Sequence, residues 1–308
     1  MGRAKKDARI SLGVAGSLGD RVFPYAMIAP AVVLFAVFTI YPFIFGFVVS
    51  FHKWDGMTNM KWLGPKNYVN VLKDVEFWMA MKNTMIYAIC VTVVKNIIAV
   101  ILALFLVRDH LPGRSLFRTA TYLPVTLSYV VIGILWKWIF NPEMGLLNPF
   151  LELIGCGHLI RGWLSDRSIA LYSVIFVDIW KWVGFHTVMY MAGLNAISKD
   201  YYEAAALDGA SGWQRFWHIT LPQLNSSVFT NILMSMNGAL TANYAIVNTM
   251  TGGGPNGATE VAATMIIKTG LKYVKLGEAN AMTFIVFVFT LALGFFQLKT
   301  ISHEENYE

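Results

Sequence analysis

Charge is scarce in this chain. Of its 308 residues, 14% are Asp, Glu, Lys or Arg, while 56% are hydrophobic. An ordinary soluble domain carries about 25% charged residues. That deficit excludes a fully water-solvated surface and puts the chain in the membrane class. Cysteine is also nearly absent. Cys90 sits in an apolar run and Cys156 in a loop, which excludes a disulfide framework and a thiolate metal site. No G-x-x-x-x-G-K-[ST] stretch occurs, so the chain is not a phosphate-loop ATPase. The six histidines form no H-E-x-x-H pair and no close cluster. No Ser/His/Asp arrangement stands out, and neither a catalytic nor a metal site is expected. The net charge of +6 is small for this length. On a membrane chain such basic residues sit at headgroups, so nucleic acid is excluded as a partner.

What is present is a series of long apolar runs. An all-α integral membrane fold with about six spans is expected, at roughly 22–51, 84–107, 119–140, 169–194, 228–247 and 279–298, each near the ~20 residues that cross a bilayer. Pro30 and Pro42 should kink the first. That run is too long for a signal peptide, and no small-residue cleavage site follows it. A polar tail, 1–21, precedes the membrane domain of 22–299, and a short tail, 300–308, ends the chain. Turn pairs mark the connections at Leu63-Gly64-Pro65, Leu111-Pro112-Gly113 and Asn141-Pro142. Basic residues are nearly balanced across the two sides. Their local density before the first span (Arg3, Lys5, Lys6, Arg9, Arg21) and at Arg108, Arg114 and Arg118 favours cytoplasmic termini. Trp54, Trp62, Trp78 and Trp163 fit interfacial anchors on the other side. No internal repeat of the kind common in secondary transporters is visible.

The connection at 195–222 carries the most specific pattern. Asp200 followed by Glu203 reads as a capping-box start, with an alanine-rich helix over Tyr201–Asp208. Gly209 suits the left-handed residue that ends a helix. Ser211 with Gln214 repeats the capping pattern, and a second helix should stop before Pro222. The product is a helix–turn–helix hairpin, small at one end and aromatic (Trp213, Phe216, Trp217) at the other. A DNA-binding role would need a basic surface, and this loop carries more acidic than basic residues.

The spacing Glu203-Ala204-Ala205, Gly209, Ile219-x-Leu221-Pro222 resembles the EAA loop of bacterial ABC importer permeases. Thr251-Gly252-Gly253-Gly254-Pro255 is similar to a loop of the maltose-type sugar permeases. The resemblance extends through the span pattern to nearly the whole chain. It implies a multi-pass permease of the bacterial cell membrane with both termini and the EAA loop cytoplasmic. It implies a homologous second permease and a dimeric cytoplasmic ABC ATPase, which carries ATP and Mg; this chain carries no cofactor. It also implies an extracellular or periplasmic solute-binding protein that delivers a sugar. In that family the EAA loop couples to the ATPase, which assigns coupling to Glu203, Ala204, Ala205, Gly209, Ile219, Leu221 and Pro222. No large external domain of the sort some relatives carry is seen.

Gly252 to Gly257 also matches G-x-G-x-x-G. It follows a span rather than a strand and contains Pro255, so a turn is expected instead of a dinucleotide site. Ionisable residues within spans are costly and functional by default; Lys95, Lys137, Asp178 and Lys181 qualify. Asp178 and Lys181, three apart, should meet on one helix face, either as an internal ion pair or toward substrate. By the resemblance, the spans flanking the EAA loop hold substrate. Asp178, Trp182, Asn237, Asn243 and Tyr244 are therefore the substrate-binding candidates. Two alternatives stay open: a permease for another polar solute such as glycerol phosphate, and a self-contained secondary transporter.

Overall fold

A computed structural model describes residues 18–108 and 112–305. The basic residues Arg3 to Arg9, most of the expected N-terminal tail and the last three residues of the expected C-terminal tail lie outside the described residues. The chain divides into two units, Met1–Val49 and Ser50–Glu308.

The first unit is one long helical path. α1 (Leu18–Phe35) is one continuous helix that includes Pro24 and Pro30. A π-turn, Ala36–Ile40, then leads into α2 (Tyr41–Ser50). Pro42 follows that turn directly. The wider turn accommodates the missing N–H and the ring that would otherwise clash with the carbonyl one turn back.

The second unit opens with a short antiparallel pair, β1 (His52–Lys53) and β2 (Lys61–Trp62), with His52 opposite Trp62. In the turn between them Asp55 accepts from the backbone N–H of Thr58 at 2.7 Å and of Met57 at 2.9 Å, and from the Thr58 hydroxyl. These bonds, the backbone one from Thr58 foremost, hold its carboxyl down at about 2. A depressed folded-state value stabilises the turn above the unfolded carboxylate range, and that contribution fades only as pH falls through about 2.

α3 (Lys66–Lys73) and α4 (Val75–Leu106) come next, with Asp74 capping α4 through the Glu76 N–H. α5 (Arg114–Thr126) and α6 (Tyr129–Ile139) follow, then a short α7 (Leu147–Leu153). α8 (Ala170–Ala196) runs into the hairpin α9 (Lys199–Leu207) and α10 (Gly212–Arg215). A π-turn (Phe216–Thr220) and α11 (Leu221–Gln223) lead into α12 (Asn225–Thr241). α13 (Tyr244–Met250), α14 (Ala262–Ile267) and α15 (Leu276–Glu305) complete the unit.

Among the described residues three helices are long and apolar enough to cross a membrane: Phe23–Ser50, Val75–Leu106 and Leu276–Gln297. α5 and α6 make a fourth if taken together, but they meet at 103°. The third expected span is thus a broken helix rather than one rod. Pro124 lies in its last turn, Leu127 is extended, and Ser128 accepts from the Val131 N–H to start α6. The fifth expected span is also two helices, parted at Ala242 and Asn243. α8 carries Asp178 and Lys181 mid-helix, and α12 has only 17 residues, so neither reaches that apolar length.

The core lies where α4, α8 and α12 pack together, with α5 against α8 and α6 against α13. Tyr87, Val91, Val174, Val177, Ala239 and Ile246 form its centre. α5 approaches α8 closely because of Gly184. A Cβ there would run into the Thr121 carbonyl and stand 3.0 Å from Tyr122 Cα. Small residues permit such backbone contact between membrane helices.

Gly184→Val should therefore lower the thermal stability of the purified protein by about 1–3 kcal/mol through overpacking. Gly294→Ala, on α15 with nothing within 4 Å of an added Cβ, should leave it unchanged. The check is thermal unfolding of both variants in the same detergent.

Candidate functional site

Two features stand apart from ordinary packing: a polar network inside the helices and the exposed hairpin. The network centres on α8. Asp178 and Lys181 are both buried, at 4% and 3% exposure. The ion pair between them, one of the two readings of their spacing, does not form. Among the described residues Asp178 has no cation within 4 Å. Its Oδ1 accepts from Tyr129 Oη at 2.9 Å, and that hydroxyl accepts from Trp182 Nε1 at 2.5 Å.

Lys181 turns to the broken helix instead. Its ammonium donates to the carbonyls of Leu127 at 2.6 Å, Val125 at 3.0 Å and Pro124 at 3.3 Å. The last carbonyls of any helix lack intrahelical partners, and a cation is favoured there by the helix dipole. The same ammonium lies 5.1 Å over the Tyr129 ring and 5.0 Å over Trp182.

Asp178, Tyr129, Trp182, Lys95, Phe185 and His186 line a cavity of about 100 Å³, closed on the far side by α12 at Gly238 to Ala242. That volume is well below the ~300 Å³ or more of ordinary ligand pockets, so a whole sugar ring does not fit in this closed arrangement. Deeper along the helices the polar contacts hold the bundle itself. Tyr190 Oη donates to Asn96 Oδ1 at 2.7 Å, and His186 Nδ1 shares a 2.7 Å bond with Asn231 Oδ1.

The structure separates the substrate-binding candidates. Asp178 and Trp182 share the cavity. Asn237 points to a different, more apolar hollow between α12 and α15, with Phe287 and Thr290. Asn243 is buried at the α12–α13 break, where its Nδ2 donates to the Ala239 carbonyl and its Oδ1 has no partner. Tyr244 is half-buried at the first residue of α13. Indole N–H donation to Tyr129 and the ammonium over its ring leave Trp182 less free as a stacking platform than its sequence position implied.

The hairpin departs from expectation at its start. Ser198, not Asp200, caps α9, accepting from the Asp200 N–H at 3.2 Å. Asp200 falls in the first turn, where an acid suits the helix dipole. Gly209 ends the helix with φ of +79°, and Ala210 N–H reaches back to the Ala205 carbonyl at 2.9 Å. Ser211 and Gln214 form the full capping box. The second arm does not stop before Pro222. The π-turn carries it into α11, where proline sits in the first turn and its missing N–H costs nothing. Tyr202 Oη and Thr220 Oγ1 share a 3.0 Å bond that ties the two arms. Glu203, Ala204 and Gly209 are exposed, and Ala205, Ile219 and Leu221 are partly covered. Leu207 is 90% exposed and Trp213 71%. Apolar side chains so displayed on a well-capped scaffold mark an interaction surface.

Residues 95–298 match the family described as binding-protein-dependent transport system inner membrane component. The chain belongs to that family. It is 38% identical to the probable ABC transporter permease protein YurN of Bacillus subtilis, over 91% of this chain and 96% of that one. It is 32% identical to the trehalose/maltose transport system permease protein MalF of Thermococcus litoralis, over 89% and 92% respectively. The fold matches the crystal structure of a bacterial ABC transporter involved in import of the acidic polysaccharide alginate. There the TM-score is 0.80 at 24% identity, covering 92% of this chain and 96% of the other. The chain is thus an inner membrane permease component, not an enzyme.

In this family member the Gly-Gly-Gly-Pro segment is a folded turn, not a nucleotide site. α13 precedes it, and Gly252 and Gly253 have φ of +59° and +87°. A Cβ on Gly253 would stand 2.7 Å from Glu260 Cδ and 2.8 Å from Lys268 Nζ, the two partners of a salt bridge. Asn83 of α4 donates to the carbonyls of Gly257, Ala258 and Glu260 and holds the segment to the bundle. Reading the sequence missed Tyr129, Asn83 and the capping role of Lys181. The polarity of Lys181 within a span was the only signal for any of them.

Trp182→Ala should raise the half-saturating sugar concentration by about tenfold, as loss of a ring or a buried hydrogen bond worth ~1–3 kcal/mol would. Asn237→Ala, in the other hollow, should leave it unchanged. Uptake titrations of both variants in a binding-protein-independent background measure the difference.

Proposed function

We propose that this permease is one of two related membrane subunits of an ATP-driven importer for a sugar or oligosaccharide. ATP and Mg bind a separate dimeric ATPase on the cytoplasmic side. A solute-binding protein outside the membrane delivers the sugar. The membrane family of the chain, the trehalose/maltose relative and the missing phosphate loop support this reading. In it, the hairpin at Ser198–Gln223 is the coupling element, and it lies in the cytoplasm with both termini.

The observation that carries the coupling role is the exposed apolar hairpin on its built frame. Gly209 fixes the turn, the capping box starts the second arm, and the Tyr202–Thr220 bond holds the arms together. Leu207 and Trp213 project from this frame. A rigid frame transmits displacement and a loose loop does not. The hairpin is continuous with α8 at one end and α12 at the other. When the ATPase closes, movement of the hairpin passes into the two helices that wall the polar cavity. Glu203, Ala204 and Ala205 offer a small, exposed face for close approach of another chain, and Ile219, Leu221 and Pro222 anchor the second arm to α12. A phosphorylated solute such as glycerol phosphate is the second reading, and the polar cavity is what distinguishes it, as argued below.

Gly209→Val tests the coupling role. No atom lies within 4 Å of an added Cβ, so the substitution creates no clash. It strains the left-handed residue by about 1–2 kcal/mol and misaligns the arms. Sugar uptake should fall at least tenfold while the protein still inserts in the membrane. Normal uptake together with normal co-purification of the ATPase contradicts the coupling role. Separately, the purified chain alone should hydrolyse no ATP, which a Mg-dependent phosphate-release assay reads directly.

A further inference from the structure

Lys95 is the unexplained charge in the cavity. It sits on α4, is 3% exposed, and lines the same cavity as the α8 residues. Among the described residues its ammonium has no hydrogen-bond or ion-pair partner. Asp178 lines the same cavity from α8, equally buried, with Tyr129 donating to it and no cation within 4 Å. Buried opposite charges normally pair directly, because desolvating each alone is expensive. Here α4 and α8 pack tightly along their length, yet the two charges that line the same hollow form no direct ion pair.

We propose that Lys95 and Asp178 are a split ion pair, bridged by the hydroxyl groups of a neutral carbohydrate, and that Lys95 is a substrate-binding residue. The inference rests on the importer reading above. An ammonium has three donors and no acceptor; a carboxylate only accepts. A group that satisfies both must accept from one and donate to the other, which a hydroxyl does. Adjacent hydroxyls on one edge of a sugar ring do so together, with Trp182 and Phe185 beside the ring. The cavity of about 100 Å³ admits that edge.

The charge balance sets the substrate class. Lys95 and Asp178 cancel. Lys181 keeps its charge but commits its donors to the three carbonyls at the α5 break, and His186 is engaged with Asn231. An anionic solute would place its charge beside the buried Asp178 carboxylate, whereas the hydroxyls of a neutral one link that carboxylate to Lys95. The cavity therefore selects neutral polyols over phosphorylated or carboxylated ones.

The test uses the complete transporter with its ATPase, second permease and binding protein in proteoliposomes. The probes are maltose and sn-glycerol 3-phosphate, each supplied with ATP inside. The proteins are the wild type, Lys95→Met, Asp178→Asn and the Lys95→Met/Asp178→Asn double variant. The double variant removes both charges, so it carries no orphaned ion that would unfold the bundle; co-purification of all subunits verifies its assembly. Wild type should take up maltose at least tenfold faster than glycerol phosphate. Both single variants and the double variant should lose at least tenfold in maltose uptake at subsaturating sugar. Wild-type maltose uptake by the assembled double variant overturns the proposal, because the pair is then a structural or water-filled element. Preference of the wild type for glycerol phosphate overturns the neutral-substrate assignment while leaving the importer reading intact.

Discussion

A helix that breaks inside a membrane leaves carbonyls that no water will reach. Every such group has to find a donor within the protein, or the break costs several kcal/mol. The break between α5 and α6 meets that demand with one side chain, Lys181, which donates to three carbonyls at once. Much of the architecture follows from this. Because Lys181 is spent on the break, Asp178 is left to Tyr129, Tyr129 to Trp182, and the hollow beside them to Lys95. The tight passage at Gly184 brings α5 near enough to α8 for the ammonium to reach. The same helix that caps the break runs on into the hairpin. One element thus connects the broken helix, the cavity wall and the surface that displays Leu207 and Trp213.

The hairpin and the cavity have opposite mechanical characters. The hairpin is closed by local bonds: a left-handed glycine, a reciprocal cap and a cross-arm hydroxyl pair. Such bonds survive displacement of the whole unit. The cavity is bounded by residues of α4, α8 and the α12 side, the last contributing Met234 and three small residues, Gly238, Ala239 and Ala242. Small side chains let those helices slide or part at little cost in packing. An element that moves as a body, attached to helices that separate, suits transport driven from outside the membrane. In that arrangement the two buried charges stand poised between pairing through solvent and pairing through substrate.

The apolar runs and the local caps were legible in the sequence, because hydropathy and capping act over a few residues. Gly209 and the Ser211–Gln214 box are of this kind. Ser198 was missed because Asp200, two residues on, offers an equally good cap, and the extended Ile197 before the helix decides between them. The break at Leu127 was not legible. Pro124 alone would bend a helix slightly, and it is the distant Lys181 that makes a 103° turn affordable. The same limit hides that Asn237 and Trp182 line different hollows. Both lie on spans flanking the hairpin, but which face each presents is fixed by helix rotation in the packed bundle. Lys95 was noted as a charge within a span, while its place in the same cavity as Asp178 depends on the contact of α4 with α8.

The central claim is that the hairpin meets the ATPase in the cytoplasm and delivers its motion to the cavity helices. The most direct measurement is site-specific photo-crosslinking from position 207 in intact cells, with Leu207 replaced by benzoylphenylalanine. Leu207 is 90% exposed at the end of α9, so the probe adds to the surface without disturbing packing. The account predicts an adduct with the ATPase subunit. An adduct with the extracytoplasmic binding protein instead would contradict it, since the hairpin would then lie on the other side of the membrane.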